Sequence, residues 1–294
     1  MSCRKGVILK GIGGFYYVST EDGIYECKAR GNFRKNNLKP YIGDNVIISI
    51  ADEGYNSIEE IIPRRNCLIR PPISNIDQLI IVSSIVNPTP NTVVIDKLIS
   101  ISYYNNIKPI LVVSKTDLGD ANDIVRIYES AGIETILTSK YDKESHERIK
   151  KLLPLKVTAF TGNSGVGKST LLNCIDENLL LETGDISQKL KRGKHTTRHV
   201  ELYPLEGGGY IADTPGFSSI DLSKFNIIDK NEIKFTFKDF APYMNECKFS
   251  SCNHIGEKGC AVIKAVNDGH INKSRYNSYL NIYNEIKDIK SWKR

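Results

Sequence analysis

Long apolar runs are missing from this chain. No hydrophobic stretch approaches the roughly 20 residues that a membrane-spanning helix requires, so we expect no membrane partner. The start, Met1-Ser2-Cys3-Arg4-Lys5, also lacks the apolar segment of a signal peptide, which favours a cytoplasmic protein. Positive side chains only slightly outnumber negative ones, with 40 Lys and Arg residues against 34 Asp and Glu residues. The net charge of +6 permits a nucleic-acid partner without requiring one.

The cysteines do not form the pattern of a disulfide framework. There are seven, an odd number, and three of them lie close together near the C-terminus, which suits a reducing cytoplasm and a metal. With one histidine they form Cys247-x4-Cys252-x-His254-x5-Cys260, a set of ligands typical of a closed, tetrahedral zinc site. We expect one structural zinc ion that holds a small helical domain together and leaves no open position for catalysis. The alternative is three buried thiols beside an unrelated histidine, and zinc analysis distinguishes the two.

The most informative stretch is glycine-rich and lies between a predicted strand at residues 157–161 and a predicted helix start at residues 169–173. It fits the phosphate-loop pattern in the strand-to-helix context that this pattern requires. Its backbone N–H groups would cradle phosphates, with a lysine at the terminal phosphates and a serine hydroxyl on Mg²⁺. The alternative is a glycine-rich turn that binds nothing. The predicted nucleoside triphosphate site comprises Gly162, Asn163, Ser164, Gly165, Val166, Gly167, Lys168, Ser169 and Thr170.

Short strands separated by turns account for residues 4–63. About five such strands in some 60 residues predict a small barrel, with the five-stranded oligonucleotide-binding type as the leading interpretation. A basic group on and after the third strand is either a solvated face or an electrostatic surface for RNA. The group comprises Lys28, Arg30, Arg34, Lys35 and Lys39. The predicted strands cover residues 6–9, 15–19, 23–27, 45–50 and 57–62.

Beyond a linker predicted from the prolines of residues 63–72, strands and helices alternate. Residues 78–86 form a continuous apolar run, as expected of a strand buried on both faces of a parallel sheet. The alternation predicts an α/β domain with right-handed crossovers. The other predicted elements are strands at residues 109–114 and 134–139 and helices at residues 92–104, 121–131 and 146–153.

A loop at the end of the second of these strands resembles a base-reading motif of GTPases. Ser114-Lys115-Thr116-Asp117 is similar to Asn-Lys-x-Asp, whose Asp accepts two hydrogen bonds from guanine that adenine cannot supply. The lysine stem of that motif lies along the base plane. Serine in place of asparagine shortens the side chain that steadies the loop, so we expect guanine selectivity to survive and affinity to be weaker.

A second base-reading loop follows the next predicted strand. Thr138-Ser139-Lys140 resembles the fifth GTPase motif, whose backbone contacts the guanine 6-oxygen. Either loop alone is a weak signal, since such turns often follow strands. Two of them at consecutive strand ends, beside a phosphate loop, indicate GTP, because ligands bind at the carboxyl ends of strands in these sheets.

Two further segments resemble the switches of GTPases. The second begins with Asp213, which would reach Mg²⁺ through water, and ends with Gly216, whose N–H would sense the γ-phosphate. A threonine of the first switch, at residues 194–198, would complete the Mg²⁺ shell, with Thr197 as the first candidate and Thr196 as the second.

The C-terminal residues predict loops and short helices at 220–246 and an amphipathic helix at 273–294. We expect the apolar stripe of this helix to pack against the protein. The stripe comprises Tyr276, Leu280, Tyr283, Ile286 and Ile289.

The order of the motifs is base, base, phosphate, first switch, second switch, whereas ordinary GTPases begin with the phosphate loop. The chain therefore looks like a circular permutation. The permuted order, the barrel before it and the cysteine cluster after it resemble the RsgA family, the bacterial ribosome-small-subunit-dependent GTPases, over nearly the whole chain. The resemblance implies an oligonucleotide-binding-type β-barrel at residues 1–66, a circularly permuted α/β P-loop GTPase domain at 67–219 and a mostly helical zinc domain at 220–294. Since the second switch leads straight into the zinc domain, a change at the γ-phosphate could be transmitted to it.

The catalytic residue is a separate question. Phe217 stands where Ras-type enzymes carry a water-orienting glutamine, so we expect slow intrinsic hydrolysis. In the resembling family a first-switch histidine is the suspected substitute, and His195 matches it. The alternative for His195 is a solvated residue in a basic loop.

The resemblance implies a GTP hydrolase that acts as a late maturation factor of the small (30S) ribosomal subunit and is stimulated by it. Its partners would be GTP or GDP and the subunit with its rRNA, and we expect a monomer. One alternative is a nucleotide-gated RNA-binding switch in which hydrolysis is incidental. Another, an ATPase, is disfavoured by Asp117.

Overall fold

The computed structural model describes residues 2–31, 33, 38–176, 200–214 and 228–289. Five strands form the first unit: β1 (Ser2–Ile12), β2 (Phe15–Thr20), β3 (Gly23–Ala29), β4 (Asn45–Ile50) and β5 (Asn56–Ile61). They close into a barrel in the order β1-β2-β3-β5-β4, which confirms the predicted five-stranded barrel. The parallel pairing of β3 with β5 completes the closure, and Ile8, Val18 and Ile48 fill the interior.

Residues 63–72, which are predicted to be a linker, pack against the barrel. The Arg64 guanidinium donates to both oxygens of the Asp44 carboxylate, at 2.7 and 2.8 Å. Two short strands, β6 (Cys67–Leu68) and β7 (Ile73–Ser74), pair within and just after the segment, and β7 hydrogen-bonds back to the barrel. The segment packs on the barrel because its polar groups find partners there.

Six strands form the central sheet: β8 (Gln78–Ser84), β9 (Lys108–Ser114), β10 (Glu134–Leu137), β11 (Val157–Gly162), β12 (Leu202–Pro204) and β13 (Tyr210–Asp213). Their order is β10-β9-β8-β11-β13-β12, and only β12 runs antiparallel to its neighbour. Every residue of β8 is buried, as its apolar run predicts. The phosphate-loop strand β11 lies in the middle of the sheet although three strands of that sheet precede it in the chain.

Four helices cover the two faces of this sheet: α1 (Thr92–Tyr104), α2 (Asn122–Glu129), α3 (Lys143–Lys150) and α4 (Lys168–Ile175). Alternate side chains of the strands divide between two cores, one with α1 and α2 and the other with α3 and α4. Helix α3 begins before the predicted residue 146, because the Asp142 side chain caps it by accepting the Ser145 N–H at 3.1 Å.

The C-terminal region is helical: two 3₁₀ turns (Ile233–Thr236 and Lys238–Phe240), α5 (Ala241–Met244), α6 (Ala261–Asn267) and α7 (Lys273–Ile286). The predicted long helix is confirmed as α7, although it ends at Ile286, and it packs along α1. Its predicted stripe packs against the core as expected, but the most buried face is rotated from it. The buried face centres on Arg275, Tyr279 and Ile282, whereas Tyr276 and Tyr283 are half-buried. The predicted stripe left out Arg275, because the sequence does not show the buried carboxylates that pair with it. No helix in the described part of the chain is both long and apolar enough to cross a membrane.

Candidate nucleotide-binding site and metal centre

The predicted nucleotide-binding motifs meet at one edge of the central sheet. The phosphate loop follows β11, and the two base-reading loops follow β9 and β10. Asp213 is the last residue of β13, which pairs with β11 in parallel register. Because these strands are parallel, their carboxyl ends lie side by side, which is where α/β sheets bind ligands.

The phosphate loop needs glycine for two separate reasons. A Cβ on Gly162 would lie 2.6 Å from the carbonyl oxygen of Val82, so no side chain fits between β11 and β8. Gly167, the N-cap of α4, has φ 88°, a left-handed conformation that disfavours other residues. Helix α4 then begins at Lys168 and directs its N-terminal N–H groups at the loop, as a phosphate cradle requires.

Lys168 and Asp213 form an ion pair at the centre of this edge. The Lys168 ammonium donates directly to Oδ1 of Asp213, and the side chains are 13 % and 23 % exposed. Thr214 continues from Asp213 and its hydroxyl donates to the Phe160 carbonyl at 2.8 Å, which holds the end of β13 against β11. The structure therefore brings together Lys168 and Asp213, two of the residues predicted to contact the terminal phosphates or Mg²⁺.

Ser114 connects the first base-reading loop to the phosphate loop. Its hydroxyl lies 2.5 Å from the Val166 carbonyl oxygen and 3.2 Å from that of Ser83, both of which accept from it. The shorter side chain therefore still reaches across between the loops, which sequence reasoning did not foresee. The neighbouring Lys115 has φ 59°, and its ammonium donates to the carbonyls of Val86 and Asn87. The lysine thus braces the loop after β8.

The two base-reading loops are joined by hydrogen bonds. The Thr116 N–H and hydroxyl both donate to the Thr138 carbonyl, at 3.3 and 3.0 Å. The Thr138 N–H donates in turn to the Val113 carbonyl at 2.8 Å. Asp117 stands exposed beside this junction. The arrangement places an exposed carboxylate next to the backbone of the two joined loops.

The remaining predictions for this site lie outside the described residues. They are the first-switch residues His195, Thr196 and Thr197, and the second-switch residues Gly216 and Phe217.

The four predicted metal ligands lie together in the C-terminal region. The ligand atoms of Cys247, Cys252, His254 and Cys260 all lie within 4.8 Å of one another. His254 Nδ1 is 3.5 Å from the Cys247 sulfur and 3.3 Å from the Cys260 sulfur, and those sulfurs are 3.9 Å apart. Tetrahedral zinc with bonds of about 2.3 Å to sulfur places two sulfurs about 3.8 Å apart, so the set fits such an ion.

A turn closed by Glu257 shapes this cluster. The Glu257 carboxylate accepts the backbone N–H groups of Asn253, Ile255 and Gly256, at 2.8, 2.7 and 3.1 Å. At the centre of the turn His254 has φ 60°. These bonds stabilise the left-handed residue that places the imidazole beside the thiols.

Helix α7 supports the turn from the opposite side. The Tyr276 hydroxyl donates to the His254 carbonyl at 2.9 Å, and the Tyr279 hydroxyl donates to that of Asn253. The sequence places these tyrosines on a helix without showing that they support the cluster. We did not predict this support, nor that from Glu257.

Burial favours the ligand form of the imidazole. It lowers the pKa of His254, with the Lys234 charge acting in the same direction, so the imidazole is neutral and able to coordinate. Burial also raises the pKa of the Cys252 thiol to about 12. A divalent cation reverses that preference because it binds the thiolate.

The chain matches two family models in consecutive segments. Residues 5–58 match the RsgA N-terminal domain, and residues 61–223 match the RsgA GTPase. Two similar relatives are both named Small ribosomal subunit biogenesis GTPase RsgA. The one from Caldanaerobacter subterraneus subsp. tengcongensis is 43 % identical over 287 residues, or 97 % of this chain and 96 % of that protein. The one from Clostridium acetobutylicum is 46 % identical over 292 residues, or 98 % of this chain and 100 % of that protein.

Two solved structures share the whole architecture. YjeQ from Thermotoga maritima superposes with a TM-score of 0.82 and 33 % identity, covering 98 % of this chain and 100 % of that one. YloQ, described as a circularly permuted GTPase, superposes with a TM-score of 0.79 and 37 % identity, covering 98 % and 96 %. The permuted order predicted from the motifs is therefore confirmed.

Proposed function

This chain belongs to the RsgA family of GTPases and is a GTP hydrolase, and we propose that it acts in the late maturation of the small (30S) ribosomal subunit. The observation that carries this proposal is its identity of 43 % and 46 %, over nearly full length, to proteins named for biogenesis of that subunit. The barrel and the modest positive charge suit an rRNA partner. In this proposal the protein works as a cytoplasmic monomer.

Guanine nucleotide would bind at the carboxyl edge of the central sheet. Asp117 would read the base, and residues 162–170 would hold the phosphates. Ser169 and Thr197 would bind Mg²⁺ through their hydroxyl oxygens, and Asp213 would reach it through water. Bound Mg²⁺ would neutralise charge on the β- and γ-phosphates. When the nucleotide binds, the Lys168 ammonium would leave Asp213 and contact the terminal phosphates instead.

Hydrolysis would depend on a side chain that acts on the attacking water, which Phe217 cannot do. We assign this role to His195, which would orient or deprotonate the attacking water when the activating partner is bound. The test compares His195→Ala with the unaltered protein in the presence of small subunits. A large loss of turnover at unchanged GTP affinity is expected, and an unchanged rate would reject the assignment.

The metal of the C-terminal cluster would be a single structural zinc ion. Soft thiolates with one imidazole favour zinc over the oxygen-preferring cations, and four protein ligands leave no place for a substrate. Metal analysis of protein purified without chelator should find about one zinc per chain. Folded protein that contains no metal would contradict the assignment.

The domain boundaries proposed are 1–66 for the barrel, 67–219 for the GTPase and 220–294 for the zinc domain. The second switch joins the last two, so the presence of a γ-phosphate would be relayed through it to the zinc domain.

The decisive experiment adds purified small subunits to a GTPase assay at several salt concentrations. Strong stimulation by small subunits, with none by large subunits or free RNA, is expected, and it should weaken as salt screens the phosphate contacts. Stimulation by any RNA would favour the nucleotide-gated RNA-binding switch instead. Asp117→Asn should lose the preference for GTP over ATP, and an unaltered chain that prefers ATP would reopen the ATPase alternative.

A further inference from the structure

The first turn of α3 holds the second base-reading loop from inside the protein. The Ser145 hydroxyl lies 2.6 Å from the Thr138 hydroxyl, and the Asp142 cap fixes the position of Ser145. One residue further, His146 Nε2 lies 3.0 Å from the carbonyl oxygen of Ser139. His146 is 7 % exposed, so water has little access to this contact. Neither the predicted motifs nor the contacts between the loops account for this histidine.

The contact determines the proton position on His146. It is the shortest of three contacts that direct the Ser139 carbonyl, which also accepts the Asp142 N–H at 3.3 Å and the Thr138 hydroxyl at 3.4 Å. A carbonyl oxygen only accepts hydrogen bonds, so Nε2 carries the proton and donates it. The peptide bond between Ser139 and Lys140 has the ordinary trans form. In a planar trans peptide the N–H points opposite to the C=O. Because the Ser139 carbonyl faces a buried imidazole, the Lys140 N–H is directed outward at the end of β10.

The same loop is tied on its other side to the loop that carries Asp117. Thr116 donates twice to the Thr138 carbonyl, so the loop is fixed between α3 and the first base-reading loop. A donor held in this way needs no reorganisation when an acceptor arrives, which increases affinity for a ligand that presents one. Lys140 is exposed, which leaves its N–H side open to such a ligand.

We propose that His146 is a positioning residue for guanine recognition, which holds the Ser139 carbonyl so that the Lys140 N–H meets the 6-oxygen of the base. The inference rests on the proposed function, in which this loop contacts that oxygen. His146 does not touch the nucleotide itself. It acts through one peptide group, so its replacement should lower the affinity only for ligands whose base carries a hydrogen-bond acceptor at position 6.

The test compares GDP with 6-thio-GDP in calorimetric titrations of the full chain. Sulfur is a weak acceptor, while the N1–H and the amino group that Asp117 would read stay in place. His146→Leu should bind GDP about fivefold to tenfold more weakly, the effect of losing one hydrogen bond, and should bind 6-thio-GDP as before. His146→Gln keeps an N–H donor and should keep the preference for GDP. Ile149→Val, a buried change on the same helix away from the loop, is the matched control and should also keep it.

Equal weakening of both nucleotides by His146→Leu would overturn the proposal, because it would show a general structural role. A His146→Gln protein that loses the preference as fully as His146→Leu would overturn it as well, and so would loss of the preference in Ile149→Val. Failure of the proposed function looks different, since the unaltered chain would then show no preference for GDP over ADP. A different result would refute only the role of His146. The unaltered chain would then prefer GDP over ADP, and His146→Leu would still bind GDP more tightly than 6-thio-GDP by the same factor as the unaltered chain.

Discussion

Replacing Arg275 with methionine tests how the C-terminal helix α7 is held against α1. The guanidinium is 1 % exposed and donates to Asp96 at 2.5 Å and to Asp239 at 2.8 Å, whose side chains are 0 % and 6 % exposed. Its carbon centre also lies 4.7 Å from the ring centroid of Phe237. Methionine preserves much of the apolar length of the side chain but leaves two buried carboxylates without their counter-charge.

The magnitude follows from the burial of this pair. Removing one member of a buried ion pair destabilises a protein by about 3–5 kcal/mol, because the other charge stays buried. Burial already raises the pKa of Asp96 from 3.8 to about 6, against the lowering effect of Arg275. Without Arg275 that pKa rises further. A carboxyl group whose pKa is higher in the folded state makes the protein less stable as pH rises. The loss of stability caused by Arg275→Met should therefore grow by about 1.4 kcal/mol per pH unit above about pH 6 and be constant below it.

Hydrogen exchange of the α1 and α7 amides measures this local stability without assuming that the whole chain unfolds together. Lys97→Met is the control, since it removes a less buried ion pair of the same interface, Lys97 with Glu285, and should cost less than about 1 kcal/mol at any pH. Adding Asp96→Asn to Arg275→Met removes the more deeply buried of the two carboxylates and should reduce the pH dependence. A deficit below about 1 kcal/mol at pH 7, or one that does not change with pH, would refute the reasoning.

Three further predictions concern the two sites. Gly162→Ala should abolish GDP binding in calorimetry, because its Cβ would lie 2.6 Å from the Val82 carbonyl oxygen and displace the phosphate loop; unaltered affinity would contradict this. Ser114→Ala removes the hydrogen bond to the Val166 carbonyl and should weaken GDP binding about tenfold, whereas an equal loss of affinity for inorganic pyrophosphate would show that the base-reading loop is not involved. Glu257→Ala removes the acceptor of three N–H groups beside His254, so a chelator should extract the metal about 10–100 times faster, and an unchanged rate would argue against this support.

Local patterns in the sequence predicted the architecture well. The barrel strands, the buried runs of the central sheet and the helix at α7 all have periodicities that arise within a few residues of the chain. The phosphate-loop pattern also carries its own context, a strand before it and a helix after it. The four metal ligands lie within 14 residues, from Cys247 to Cys260, so their spacing was enough to predict that they meet.

Contacts between distant residues were not predictable in the same way. Ser114 bonds to the Val166 carbonyl across 52 positions of sequence, and the serine looked only like a shortened asparagine. Arg275 pairs with Asp96 across 179 positions, and the apolar stripe predicted for its helix left it out. Arg64 lies in the predicted linker, and its pairing with Asp44 across 20 positions was not visible there either. Each of these contacts involves a polar residue whose partner only the folded chain reveals.

The place of β11 in the sheet has a consequence for the order in which the protein can form during synthesis. Strands β8, β9 and β10 leave the ribosome first, and until residues 157–162 follow, β8 is an edge strand with unpaired backbone groups and apolar side chains on both faces. The loops proposed to read the base therefore emerge before the phosphate loop. Pairing of β11 with β8 covers this edge, and the phosphate loop follows β11 directly. The strand that covers the exposed edge thus also brings the phosphate loop to the proposed nucleotide site.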